Sequence, residues 1–126
     1  MRSVNRIVLV GRVGRDPELK MGQKGTPWCS WSVATDRVNR VDDAWVEETD
    51  WHRITAFGGL AERCAERAQK GALIAVEGTV TYGTWTDEQE VVRTRTSVLA
   101  DRVTILVRAR QPHVSDDPEL TELASA

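Results

Sequence analysis

One run of ten residues, Thr49-Asp50-Trp51-His52-Arg53-Ile54-Thr55-Ala56-Phe57-Gly58, constrains this chain more than any other stretch. Read as a strand, its side chains alternate between two faces. One face takes Thr49, Trp51, Arg53, Thr55 and Phe57, and the other takes Asp50, His52, Ile54, Ala56 and Gly58. The first face interleaves two aromatic rings with a guanidinium and hydroxyls. Its rings stand about 20 Å apart at about 3.3 Å per residue. Rings along a track with cations between them suit unpaired bases and their phosphates. A core strand whose two rings pack inward accounts for the run equally well, and the other segments have to decide.

Ile7 to Val10 is continuously apolar, which predicts a strand buried on both faces. So close to a terminus in a small domain, such a strand points to a subunit contact. Gly14-Arg15-Asp16-Pro17 and Gly22-Gln23-Lys24-Gly25 read as turns around a short strand, Leu19 to Met21. In Trp28 to Ala34, Cys29, Trp31 and Val33 share the apolar face, and Trp28, Ser30, Ser32 and Ala34 share the other. Trp31 is therefore expected in the core, whereas Trp28 fits a binding surface and a subunit contact equally. Arg37 to Glu48 is polar, carries both charge signs and reads as a mobile hairpin loop with a lone Trp45.

Leu60, Ala61, Cys64, Ala65 and Ala68 fall at helical spacing. They predict a short helix ended by Gly71 at C′, with Lys70 at the negative end of its dipole. Leu73 to Tyr82 and Val91 to Val107 are the last two strands. Gly78 marks a bulge in the first, and Val103, Ile105 and Val107 share a face of the second. Gly83 to Gln89 reads as a polar hairpin tip, where Trp85 has no apolar neighbour and is expected exposed.

The order is thus strand, strand, strand, helix, strand, strand, the plan of a five-stranded OB-fold barrel. The fold class is all-β with one short helix. At 126 residues the chain is one domain with one modest core. The domain is expected over 1–110, followed by a short acidic, Pro-containing tail over 111–126 that reads as disordered.

The formal net charge is −2, and four acids but no Lys or Arg lie beyond residue 110, which leaves 1–110 at +2. Any phosphate track is then local, and it is built mostly from Arg, the better residue for phosphate forks and stacking. Five Trp against one Tyr and one Phe ask for a large core, subunit contacts or a stacking surface.

Cys29 and Cys64 lack CxxC spacing and a nearby His, so buried reduced thiols are expected, with a disulfide between them left open. No metal or cofactor is implied. Asp16 precedes a turn Pro and Asp42-Asp43 lie in the polar loop, so neither makes a convincing nuclease site. No acid–base pair or nucleophile elbow appears, and an enzyme is not expected. No apolar run approaches 18 residues and no signal segment opens the chain, which points to a cytoplasmic protein.

Several ordered stretches carry a family resemblance. They are Val4-Asn5-Arg6-Ile7-Val8-Leu9-Val10-Gly11, Asp16-Pro17-Glu18, Val33-Ala34-Thr35, Glu48 to Ile54, Phe57-Gly58, Leu60-Ala61-Glu62, Lys70-Gly71, Val76-Glu77-Gly78, Trp85-Thr86-Asp87 and Leu99-Ala100-Asp101. From Val4 to Leu106 the chain resembles bacterial single-stranded DNA-binding protein, in a short-tailed or accessory form. The resemblance implies an OB-fold homotetramer, a dimer of dimers, that wraps single-stranded DNA without strong sequence preference and without catalysis. It implies a nucleoid-associated protein serving replication, recombination, repair or DNA uptake.

Its stacking aromatics fall on Trp51, Phe57 and Trp85, and its basic residues on Arg6, Arg53 and Lys70. His52 falls near a subunit contact, in a structural role. A fourth family aromatic falls at about Asn39, so that platform is either lost or replaced by Trp45. Thr81, Tyr82, Gly83 and Thr84 stand where the family carries Arg and Lys, with Tyr82 a compensating ring. The family's linker and Pro-Phe tip are absent, so recruitment of repair or replication proteins by the tail is not expected. Arg12 joins Arg6 and Arg53 as a phosphate contact, and Arg37 or Arg40 would close over the strand. The alternative is an OB-fold protein-interaction module with weakened DNA binding.

Overall fold

The computed structural model describes residues 2–109. The expected tail over 111–126 lies outside the described residues. In chain order the elements are β1 (Ile7–Val13), β2 (Glu18–Met21), β3 (Pro27–Val41), β4 (Ala44–Phe57), α1 (Gly58–Arg67), β5 (Leu73–Thr86) and β6 (Val92–Val107). The strands form one sheet in the order β1-β5-β6-β4-β3-β2, and β1 also pairs with β3. All pairings are antiparallel except β4 with β6, which run parallel.

The core gathers where these strands face one another. Ile54 is fully buried and lies opposite Trp31 on one side and Val98 on the other. Cys29, Val33, Ala56, Ile74 and Val76 are fully buried around it. The helix adds Ala61, Cys64 and, at its C-cap, Ala68. These small side chains let the helix axis come close to β3, where the Cys29 thiol donates to the Ala61 carbonyl at 3.6 Å. The register of β5 against β6 shifts between Glu77 and Gly78, so the expected bulge is present. A Cβ on Gly78 would collide with the Leu99 carbonyl. Only glycine lets the two backbones approach so closely at the bend.

Five expectations are corrected. Ile7 to Val10 is not buried on both faces. Leu9 faces the core, while Val8 and Val10 are 62% and 53% exposed, because β1 alternates and no described residue covers its outer side. Arg37 to Glu48 is not an irregular loop. The β3–β4 ladder continues unbroken to Val41↔Ala44, closed by a two-residue turn with positive φ at Asp42 (49°) and Asp43 (64°), as two-residue hairpins favour. Arg37 ties this ribbon together, reaching Glu48 at 2.6 Å and Asp50 at 2.9 Å across it.

Likewise, β5 extends to Thr86, so Trp85 sits within a strand. The turn is confined to the Asp87–Val91 closure, where the Asp87 carboxylate accepts from the Gln89 and Val91 backbone N–H groups and from Arg93. Finally, α1 ends at Arg67 rather than reaching Gly71. The segment after it is held by backbone bonds to β1, Gly71 N–H to Val13 and Val13 N–H to Ala72, which pull the chain off the helix axis. Val107 also departs from its expected face-mates, staying 49% exposed while Val103 and Ile105 pack on the core.

Ile54→Ala should destabilise the fold by about 2–5 kcal/mol, read as a lower urea midpoint with an unchanged m-value. Both cysteines are free and buried. Burial pushes the Cys29 thiol up from 9.0 to about 11. Burial, with Cys29 nearby, pushes the Cys64 thiol up to about 12. The folded chain then holds protons that the unfolded chain releases above pH 9.0, so stability is full below that pH. It should fall as pH rises from 9.0 through about 11, and fall less in Cys64→Ala.

Candidate nucleic-acid interface

Direct cross-strand partners in an antiparallel ladder share a face. Along β4, Trp51 stands opposite Ala34, Arg53 opposite Ser32, Thr55 opposite Ser30, and Phe57 opposite Trp28. On the far side of β3, Glu18 pairs with Ser30 and Lys20 with Trp28. One surface therefore runs from Trp51 to the Phe57–Trp28 row, about 20 Å at about 3.4 Å per residue, over small hydroxyls and one guanidinium. Trp51 is 62% exposed and Phe57 52% exposed, while Ile54 and Ala56 on the reverse face are fully buried. The rings do not pack inward.

This surface is concave. Trp51, Trp28, Arg53, Arg15 and Lys20 line a groove of about 570 Å³. Gly14 gives it its depth, because a Cβ there would collide with the benzo edge of Trp51 and lie 2.8 Å from the Ser32 hydroxyl. The indole thus lies against the Gly14 backbone and is held in place by it. Across the strand, His52 is half-buried and hydrogen-bonded to the Thr35 hydroxyl at 2.7 Å.

The other expected residues are more dispersed. Trp85 lies near the β5–β6 turn, with the Arg95 guanidinium 5.9 Å from its ring centroid. Tyr82 is exposed but stands three residues from Trp85, which the pleat sends to the opposite face of that ribbon. Trp45 is exposed on the β3–β4 ribbon with Arg40 at 5.8 Å from its centroid.

Several expected cations already have partners. Arg6 pairs with Asp101 at 2.6 Å, Arg37 with Glu48 and Asp50, and Arg40 with Asp43 at 3.4 Å. Arg12 donates to the Gly71 carbonyl. Lys70 is exposed, and its backbone N–H is capped by the Asp16 carboxylate at 2.6 Å. Arg53 alone among the expected cations stands in the Trp51–Phe57 row.

Sequence reasoning missed Lys20, Arg15 and Arg95. Lys20 and Arg95 take their places from hairpin register, and no local pattern in the chain shows which ring each cation will meet. Arg15 follows Gly14 in a turn whose sequence does not disclose that Trp51 lies across it.

The single-strand binding protein family model matches residues 4–106. Single-stranded DNA-binding protein 1 of Xylella fastidiosa (strain 9a5c) is 39% identical over 108 residues, which cover 84% of this chain and 79% of that protein. The mitochondrial single-stranded DNA-binding protein of Drosophila melanogaster is 38% identical over 104 residues, covering 81% and 70%. Among solved structures, the Plasmodium falciparum SSB complex with ssDNA superposes with a TM-score of 0.78 at 25% identity, covering 84% of this chain and 97% of that one.

Gly14→Ala should displace the Trp51 indole. In a proton–nitrogen spectrum its N–H resonance should move, while those of Trp45 and Trp85 keep their positions. An unmoved Trp51 signal would show that the ring does not depend on Gly14.

Proposed function

The chain belongs to the single-strand binding protein family, and from that premise we propose that it holds single-stranded DNA in the Trp51–Phe57 groove without reading its sequence. The observation that carries this reading is the exposed alternation of Trp51, Arg53, Thr55 and Phe57 above a buried Ile54 and Ala56. Flat rings accept any base, because every base has a π-face. Arg53 beside the rings supplies a phosphate contact, and Trp85 with Arg95 supplies a second platform farther along the strand.

Arg6, Arg12, Lys70, Arg37 and Arg40 extend the track in this proposal, and Tyr82 adds a ring. Three of these cations would first release a carboxylate. Exposed pairs of that kind contribute only about 0–1 kcal/mol, so a phosphate can replace the acid at little cost. The net gain in neutralised phosphates is correspondingly small. The salt dependence, about −0.7 in log–log slope per neutralised phosphate on single strands, should therefore be shallow for a track of this length.

We further read the sheet as a closed five-stranded OB barrel with β2 as a short flap. The ring of pairings through β1 and β3 supports this. Homotetramer assembly is part of the same reading. Its support is the uncovered apolar side of β1 at Val8 and Val10, and His52, hydrogen-bonded to Thr35, keeps a structural role in the same reading. The protein acts by occupancy rather than turnover, shielding strands during replication, recombination, repair or DNA uptake. No helix among the described residues is long and apolar enough to cross a membrane, and a cytoplasmic, nucleoid-associated location belongs to the proposal.

Trp51→Ala should weaken binding of a labelled oligo(dT), measured by fluorescence anisotropy, by at least about tenfold, within the range of one lost stacking contact. Unchanged affinity in a variant with wild-type circular dichroism would remove Trp51 from the site.

A further inference from the structure

Trp28 has no part in the reading above, yet the geometry gives it one. Its side chain emerges on the groove face, directly opposite Phe57 across the β3–β4 ladder. It lines the same groove as Trp51 and Arg53. Between the Trp51 end and the Trp28–Phe57 end, β3 and β4 present Arg53, Thr55, Ser30, Ser32 and Ala34 on that face, and Arg15, Asp16 and Glu18 line the groove beside them. On the outer side, Lys20 pairs with Trp28 in the β2–β3 ladder, and its ammonium stands 5.4 Å from the indole centroid.

The immediate surroundings of Trp28 favour a nucleotide over a subunit contact. Exposed apolar side chains lie on several strands, among them Val8 and Val10 on β1 and Leu19 and Met21 on β2, but the groove-face neighbours of the half-buried Trp28 are Lys20, Glu18, Ser30 and Phe57. A flexible ammonium over a half-buried ring, at the end of a groove already lined with a guanidinium, matches a nucleotide: base on the ring, phosphate on the cation.

We infer that Trp28 and Lys20 form a further base-stacking subsite, taking a base of the same strand that occupies Trp51. The inference rests on the proposed DNA binding and extends it. When the base arrives it takes the indole face, and the Lys20 side chain, exposed and free to rotate, turns its ammonium to the adjoining phosphate. With Phe57 beside it, Trp28 makes this end of the groove a double platform. The chain then has an aromatic at each end of the groove and a cation beside each, Arg53 near Trp51 and Lys20 near Trp28.

The test uses the full chain. Trp28→Leu keeps apolar bulk at the position and removes the stacking surface. It should weaken oligo(dT) binding about fivefold or more, with the mass of the assembly unchanged. Oligonucleotides carrying 5-iodouracil at single positions, irradiated in complex with the wild-type protein, should yield an adduct on the peptide containing Trp28. Lys20→Ala should reduce the log–log salt slope by about 0.7.

Wild-type protein that does not bind oligo(dT) would overturn the proposed function itself. Wild-type binding, with unaltered affinity in Trp28→Leu and no adduct at Trp28, would overturn this inference alone. A changed assembly mass in Trp28→Leu without an adduct would place the residue in a subunit contact and also overturn it. An unchanged salt slope in Lys20→Ala would remove the lysine from the subsite.

Discussion

Ile54 is the residue on which the rest depends. It is fully buried between Trp31 on β3 and Val98 on β6, and β4 pairs antiparallel with the first strand and parallel with the second. Side chains of a strand have a period of two, so a slip of one residue would exchange its faces. Such a slip would put Trp51, Arg53 and Phe57 into a core that has no partner for a guanidinium. Burying an unpaired cation is far more costly than exposing two rings. The packing of one isoleucine thus fixes which way Trp51, Arg53 and Phe57 point, and the same backbone that closes the core displays the exposed rings.

Electrostatics constrains the site in a second way. The described chain does not concentrate its cations on the groove, and the arginines at 6, 37 and 40 are matched to carboxylates on the surface. That arrangement limits non-specific attraction to polyanions and leaves discrimination to the rings. Duplex DNA presents phosphates but no free base faces. In the proposed reading, exposed rings such as Trp51 therefore favour single strands, whose base faces are free.

Legibility in the sequence followed the buried faces. The alternation in β4, the apolar side of β3 at Cys29, Trp31 and Val33, the small-residue face of α1 and the bulge at Gly78 were all readable, because each records contact with the core. The β3–β4 ribbon was read as a loop because it stands away from the core. With both faces in solvent, its composition carries no apolar stripe, and the cross-strand grip of Arg37 on Glu48 and Asp50 is invisible without register. Val8 and Val10 misled in the opposite sense, since apolar residues record burial without saying whether the cover comes from the same chain. The end of α1 was set by backbone bonds between Gly71, Ala72 and Val13, a long-range cause that local capping signals do not contain. That Trp51, Arg53 and Phe57 share one face of β4 was legible from that strand's pattern, while the meeting of Lys20 with Trp28 required two strands in register.

The tryptophans show how a small protein keeps large apolar rings at its surface. Trp31 is the one committed to the core. Trp28, Trp45 and Trp85 each carry a cation within 6 Å of the ring centroid, from Lys20, Arg40 and Arg95 respectively. Trp51 is different: it has Gly14 backbone at its edge and Arg53 two residues along its own face. A cation over a ring covers apolar surface with the stem of its side chain while keeping its charge in water. That lowers the tendency of the ring to seek another protein, and it stations a cation beside each of these three rings. In the proposed reading, Trp51, seated on glycine with no cation above it among the described residues, is the platform a base reaches without displacing anything, and the capped rings follow as their cations exchange the ring for phosphate.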